Sequence, residues 1–166
     1  MKKLLTPYTR DIAYLHPDMQ VKMPAFLKEV AIAKIPLIIT CTARKMQMQV
    51  ALYAQGRQPI AEINRLRLIA GLPPITTTEA KKKVTWTLFS RHLVNYENTN
   101  TNDDYSDAFD FAIMDGKKAS WDVKINVNKN SIPDYEEVGI IAEKYGWVWG
   151  GRWKTPDYPH IQRRRV

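Results

Sequence analysis

Apolar residues recur at helical spacing through the first half of the chain. Phe26, Leu27, Val30, Ala31 and Ala33 give an apolar side to a helix that Pro24 would open and that runs to Lys34. The continuous run Leu37-Ile38-Ile39-Thr40-Cys41 predicts a buried strand. Met48, Ala51 and Leu52 predict a second helix from Lys45 to Gln55, stopped by Gly56. A third runs from Ile60 to Ala70, before Gly71 and Pro73-Pro74. Thr76 to Lys83 reads as a polar connector and Val84 to Phe89 as a short β-prone run.

The second half changes character. Asn95 to Asp107 is dense in Asn, Asp and Thr, which favour turns, and predicts a long surface loop. Phe109 to Met114, the turn Asp115-Gly116, and Trp121 to Val127 predict an antiparallel pair. A fourth helix covers Tyr135 to Tyr145 and ends at Gly146, followed by an aromatic, turn-rich segment from Trp147 to Gln162. Helices early and antiparallel strands late predict an α+β domain. The expectation is one domain over 1–166, with a basic tail at 163–166 and no linker long enough to set off a second domain.

The chain has 166 residues, 45% of them hydrophobic and 25% charged, as in an ordinary globular domain. No apolar run approaches the roughly 20 residues that span a bilayer, so stable membrane insertion is not expected. The start, Met1-Lys2-Lys3-Leu4-Leu5, lacks the apolar stretch and cleavage site of a secretory signal, which predicts a cytoplasmic product. The single Cys41 excludes an internal disulfide framework and reads as a buried, inert thiol.

The net charge is +8, unevenly spread. Through Arg91 there are 15 Lys and Arg against 5 Asp and Glu; from His92 onward there are 10 against 12. Such a basic half favours an anionic surrounding: nucleic acid, teichoic acid or a bacterial envelope. No nucleic-acid-binding motif accompanies the scattered cations, so no specific nucleic-acid partner is expected.

Three histidines exist. His16, in Leu15-His16-Pro17, has no acidic or thiol cluster beside it and reads as structural or surface. His92 and His160 each lie near carboxylates. Two histidines and a carboxylate would make a catalytic zinc site with one open position, but two separated histidines occur in many proteins without metal, and composition alone favours that reading. The His-Glu-x-x-His helix of many metalloproteases is absent.

Five ordered segments carry a resemblance. They are Thr42-Ala43-Arg44 with Gln49, Leu52-Tyr53 and Gly56-Arg57; Ser90-Arg91-His92; Ala108-Phe109-Asp110; Gly150-Gly151-Arg152-Trp153; and Asp157-Tyr158-Pro159-His160-Ile161-Gln162. From about Ile38 to Gln162 the chain resembles the M15 peptidases, in particular their L-alanyl-D-glutamate endopeptidase branch. The resemblance implies a small α+β fold of the D-Ala-D-Ala carboxypeptidase/Hedgehog type, with one Zn2+ on His92, Asp110 and His160. It implies Asp157 as general base, Arg44 as the cation that steadies substrate and oxyanion, and Ser90 and Gln49 as supporting residues. Seventeen residues separate His92 from Asp110, more than the family pattern has, and Ser106 stands where that pattern has glycine. Asp107 is therefore the competitor to Asp110. The acidic loop Asp103–Asp107 reads as a solvated loop, a lid, or a regulatory Ca2+ site without EF-hand spacing.

The function expected is zinc-dependent hydrolysis of the L-Ala-D-Glu bond of peptidoglycan by a monomeric phage endolysin, released from the host cytoplasm through holin lesions. A D-alanyl-D-alanine carboxypeptidase is the alternative within the family. A non-catalytic basic protein that binds cell wall or nucleic acid is the alternative outside it. The tail Arg163-Arg164-Arg165 would either approach an anionic envelope or merely solubilise the end.

Overall fold

The computed structural model describes residue 4, residues 6–94 and residues 105–164. In chain order the elements are β1 (Tyr8–Thr9), α1 (Pro17–Ile32), β2 (Leu37–Cys41), β3 (Ala43–Arg44), α2 (Met46–Ala54), α3 (Ile60–Ile69), α4 (Thr77–Ala80), β4 (Ala108–Asp115), β5 (Lys118–Ser120), α5 (Asp134–Lys144), β6 (Trp147–Trp149) and β7 (His160–Arg163). Helices and an antiparallel sheet make up one α+β fold, as expected, but the first sheet strand, β2, comes before α2 to α4 rather than after the helices. Among the described residues no helix is long and apolar enough to cross a membrane.

The main sheet runs β2-β4-β7-β6, every pair antiparallel. β4 is its spine. β2 pairs with residues 110–113 on one edge, while β7 takes 108–110 and β5 takes 113–115 on the other. Alternation along β4 divides its side chains between two faces. Phe109, Phe111 and Ile113 enter a core with Met19, Met23, Phe26 and Val30 of α1 and Tyr135, Val138, Ile141 and Ala142 of α5. Phe26 meets Phe109 and Trp147 edge-on, with ring centroids 5.7 and 5.1 Å apart. Asp110 points to the opposite face, away from this core.

The sheet is bent where it matters for that second face. Ile39 pairs with Phe111 but Cys41 pairs with Asp110, so Thr40 is an extra residue in β2. Such a bulge re-aims side chains; here it sets Cys41 across from Asp110 and leads into Thr42 and Arg44. β3 pairs with β1 through Tyr8–Arg44 and Thr9–Ala43, and bridges to Leu93 on its other side.

Several boundaries differ from those read in the sequence. α1 begins at Pro17 rather than Pro24. Proline suits the first turn, and the His16 Nδ1 accepts from the Asp18 N–H at 3.2 Å, so this histidine caps the helix. Pro24 lies inside α1 on its exposed side, away from Met19, Met23, Phe26 and Val30. The connector after α3 contains α4, closed by a capping box between Thr76 and Glu79. Val84 to Phe89 forms no strand: its Thr87 and Thr85 carbonyls accept from the side chains of Gln49 in α2 and Arg57 in the turn beyond it. The partner of β4 is Lys118–Ser120 rather than Trp121–Val127, since Gly116 (φ +59°) turns the chain at once. Arg163 is no part of a free tail: its Nε donates to Asp107 at 2.9 Å. The loop residues 95–104, with Asp103 and Asp104, and the tail residues 165–166 lie outside the described residues.

Trp149 is locked between two glycines. A Cβ on Gly139 would fall 2.1 Å from its ring and one on Gly151 2.2 Å, while its Nε1–H donates to the Tyr158 carbonyl at 2.8 Å. This packing fixes the turn that leads into β7. Gly139→Ala would ordinarily strengthen a helix. Here it should destabilise the fold by roughly 1–3 kcal/mol through overpacking, read as a lower midpoint in urea unfolding.

Candidate metal centre

His160 sits opposite Asp110 in the β4–β7 ladder, and His92 enters from the segment bridged to β3. Their polar atoms converge. His92 Nε2 lies 3.0 Å from Asp110 Oδ1, His160 Nδ1 lies 3.1 Å from the same oxygen, and the two nitrogens are 3.3 Å apart. A tetrahedral zinc with bonds of roughly 2.0–2.1 Å holds its nitrogen and oxygen donors roughly 3.3 Å apart. The three donors therefore fit one zinc and leave a fourth position free.

The remaining atom of each ring is engaged elsewhere. His92 Nδ1–H donates to the Thr42 carbonyl at 3.1 Å, which reserves Nε2 as a lone pair. His160 Nε2–H donates to Gln162 Oε1 at 3.1 Å, which reserves Nδ1. Two imidazole lone pairs thus face each other across a carboxylate, with their tautomers fixed from outside, the arrangement that orients metal-binding histidines. Asp110's second oxygen, Oδ2, accepts from Arg44 at 2.9 Å. Burial would raise the Asp110 pKa, yet His92, His160 and Arg44 hold it well below the usual carboxylate range. Burial lowers the pKa of His92 and keeps it neutral. His160 is raised, because Asp110 and Gln162 outweigh the desolvation that pulls it down.

The competitor is elsewhere. Asp107 is 5% exposed and faces Arg163 and Arg91, so its carboxylate is not among the three converging donors. Buried Ser106 takes the family glycine's place by bonding the chain around it: its Oγ donates to Ala108 O at 2.8 Å and accepts from Ala108 N–H at 3.1 Å. As for the Asp103–Asp107 loop, only Asp107 lies among the described acidic residues, and nothing supports calcium there.

The supporting residues form a chain of contacts. Ser90 Oγ accepts from the His92 N–H at 3.3 Å. Arg44 Nη1 donates to Gln49 Oε1 at 3.3 Å, and Gln49 Nε2 donates to Thr87 O at 2.6 Å and Thr85 Oγ1 at 3.1 Å. The centre opens into a cleft of about 600 Å³, lined also by Asp157, Lys83 and Arg91. Asp157 is exposed at its edge, but desolvation by the cleft raises its pKa, Asp110 adds to this, and His160 and Arg44 oppose it. Gly150 makes its turn possible: a Cβ there would stand 2.5 Å from the Asp157 carbonyl and 3.3 Å from the His160 Cβ.

Residues 96–163 match the M15 peptidase model described as D-alanyl-D-alanine carboxypeptidase. The chain is 30% identical over 151 residues to the peptidoglycan L-alanyl-D-glutamate endopeptidase CwlK of Bacillus subtilis (strain 168), covering 89% of this chain and 72% of that protein. The chain belongs to the M15 peptidases. In fold, this M15 peptidase is similar to the Serratia marcescens L-Ala D-Glu endopeptidase ChiX, with a TM-score of 0.52 and 20% identity over 97% of this chain and 89% of ChiX.

Two features of this peptidase's site were not anticipated from sequence. The exposed aromatics of the cleft belong to segments far apart in the chain, which no local pattern brings together. Cys41, read as an inert buried thiol, lies with its Sγ within 4.8 Å of donor atoms of His92 and Asp110. A register argument could have found it, since β2 and β4 are neighbours. Burial pushes its pKa up to about 11, with Arg44 opposing. The thiol should resist iodoacetamide near neutral pH and react only on unfolding, as mass spectrometry of labelled native and denatured protein would report.

Proposed function

We propose that the chain is a zinc-dependent endopeptidase that cuts the L-alanyl-D-glutamate bond of peptidoglycan stem peptides. The observation that carries this is the set of three donors, His92 Nε2, Asp110 Oδ1 and His160 Nδ1, 3.0 to 3.3 Å apart with their other polar atoms bonded away. The kinship with CwlK supports the scissile bond.

His92, Asp110 and His160 would hold the zinc. When bound, it supplies Lewis-acid chemistry, polarising a carbonyl and acidifying water. Asp157, beside these ligands and raised in pKa, takes the proton of the attacking water and passes it to the leaving amine of D-glutamate. Arg44 keeps Asp110 oriented and puts positive charge at the cleft floor, where the tetrahedral oxyanion develops. Lys83 and Arg91 on the cleft wall offer cations to the carboxylates of the stem. The family model's own description favours a second reading, a D-alanyl-D-alanine carboxypeptidase. The net charge of +8 supports action at an anionic envelope and, with it, a lytic role.

The test is digestion of Gram-negative peptidoglycan with zinc and after chelation, with the new ends identified by mass spectrometry. New L-alanine carboxyl and D-glutamate amino ends are expected. Free D-alanine would move the assignment to the carboxypeptidase, and absence of any metal-dependent cleavage would leave a basic wall-binding protein. Asp157→Ala should lower kcat roughly 10²–10⁴-fold while retaining one zinc per chain by elemental analysis. Gln162→Ala should weaken zinc binding roughly 10- to 100-fold, since it frees the His160 ring; competition with a chromophoric chelator measures this.

A further inference from the structure

The chain has five tryptophans, and the fold divides them sharply. Trp147 and Trp149 are core residues, 3% and 2% exposed. Trp86, Trp121 and Trp153 are 65%, 58% and 37% exposed, and all three line the cleft of the metal centre. Phe89, 83% exposed, joins them. They come from separate segments: the wall before His92, the stretch after β5, and the turn before β7. Leaving apolar rings in water is unfavourable, so their gathering at one cleft points to a ligand with apolar faces.

Two of these residues have contacts that place them. Trp86 stands between Thr85 and Thr87, whose carbonyls accept from Arg57 at 3.1 Å and from Gln49 at 2.6 Å. Its backbone is therefore pinned on both sides, while its exposed indole has Lys83 Nζ over one face, 5.7 Å from the ring centroid. Trp153 lies against the site itself, with its ring centroid 5.2 Å from that of His160.

Resting on the reading that the scissile bond is L-Ala-D-Glu, we infer that these aromatics form a subsite for the sugar rings of the glycan strand to which the stem is attached. In peptidoglycan only L-alanine and the lactyl group separate that bond from the muramyl ring. Two such units span at most roughly 7 Å. With the bond at the metal centre, the first sugar must therefore lie beside it, within reach of Trp153, and the strand continues along the cleft that Trp86 and Trp121 also line. The axial C–H bonds of a pyranose give it an apolar face with positive hydrogens, which matches the negative face of an indole. At the far end of the stem, where a carboxypeptidase acts, several more residues separate the bond from the sugar, which would no longer lie beside Trp153.

The experiment compares kcat/KM at the L-Ala-D-Glu bond for a disaccharide-tripeptide and for the same tripeptide without sugar, using the zinc-loaded chain. Preference for the sugar-bearing substrate is expected, falling roughly five- to tenfold in Trp86→Ala or Trp153→Ala. Trp86→Phe should restore most of the preference, and thermal unfolding confirms that each variant folds. Separately, peptide-free glycan strands should quench the tryptophan fluorescence of the chelated protein, and less so in Trp86→Ala. Equal cleavage of both substrates, with no quenching, would overturn the subsite and leave the endopeptidase standing. Cleavage of neither would overturn the endopeptidase, and the glycan titration then decides the subsite by itself.

Discussion

The structure turns on one carboxylate shared among three cations or would-be cations. Asp110 sits in the central strand with one oxygen on His92 and His160 and the other on Arg44. A buried carboxylate is costly unless every lone pair is satisfied. Here Arg44 satisfies one oxygen and fixes the plane of the group, which leaves the other oxygen beside two imidazole lone pairs, a set of three donors that calls for a cation. Removing Arg44's contact would free the carboxylate to rotate, so the arginine acts on the donor geometry before it acts on any substrate.

The sheet makes that placement possible because its two faces carry different duties. Phe109 and Phe111 bind β4 to α1 and α5, and this packing gives Asp110, between them, a rigid base. His160 is held by its pairing with Asp110, and Ile161 beside it is wholly buried in the same core. The bulge at Thr40 completes the site by bringing the Thr42 carbonyl under His92. A regular strand would have continued its alternation past Asp110 and carried that carbonyl away.

Much of this was legible in the sequence, for identifiable reasons. The strand Leu37–Cys41 and the helices near Met46–Ala54, Ile60–Ile69 and Asp134–Lys144 have strong apolar patterns and clear stops at Gly56, Gly71 and Gly146. His92, Asp110, His160, Arg44, Asp157, Ser90 and Gln49 were named from ordered motifs, and the fold brings all of them to one cleft or its supports. The errors fall where tertiary bonds override local preference. Val84 to Phe89 has strand-forming residues, but Gln49 and Arg57 take its carbonyls. Pro24 looked like a helix start because an earlier proline with a histidine cap is an uncommon opening. The nearness of Cys41 to His92 and Asp110 depends on pairing between β2 and β4, which separation in sequence hides.

Gln49 joins these levels. Its side-chain oxygen accepts from Arg44, and its amide donates to the wall at Thr85 and Thr87. One buried side chain thus connects the guanidinium that orients Asp110 to the backbone that presents Trp86. A buried amide is tolerated only when its partners are all present, so wall and centre must be in place together. An unbroken run of side-chain hydrogen bonds thus joins the wall to Asp110 through Gln49 and Arg44. That coupling gives a physical reason for glutamine to stand at this position: a hydrophobic residue of similar size could fill the space, but it could not tie substrate contact to donor geometry.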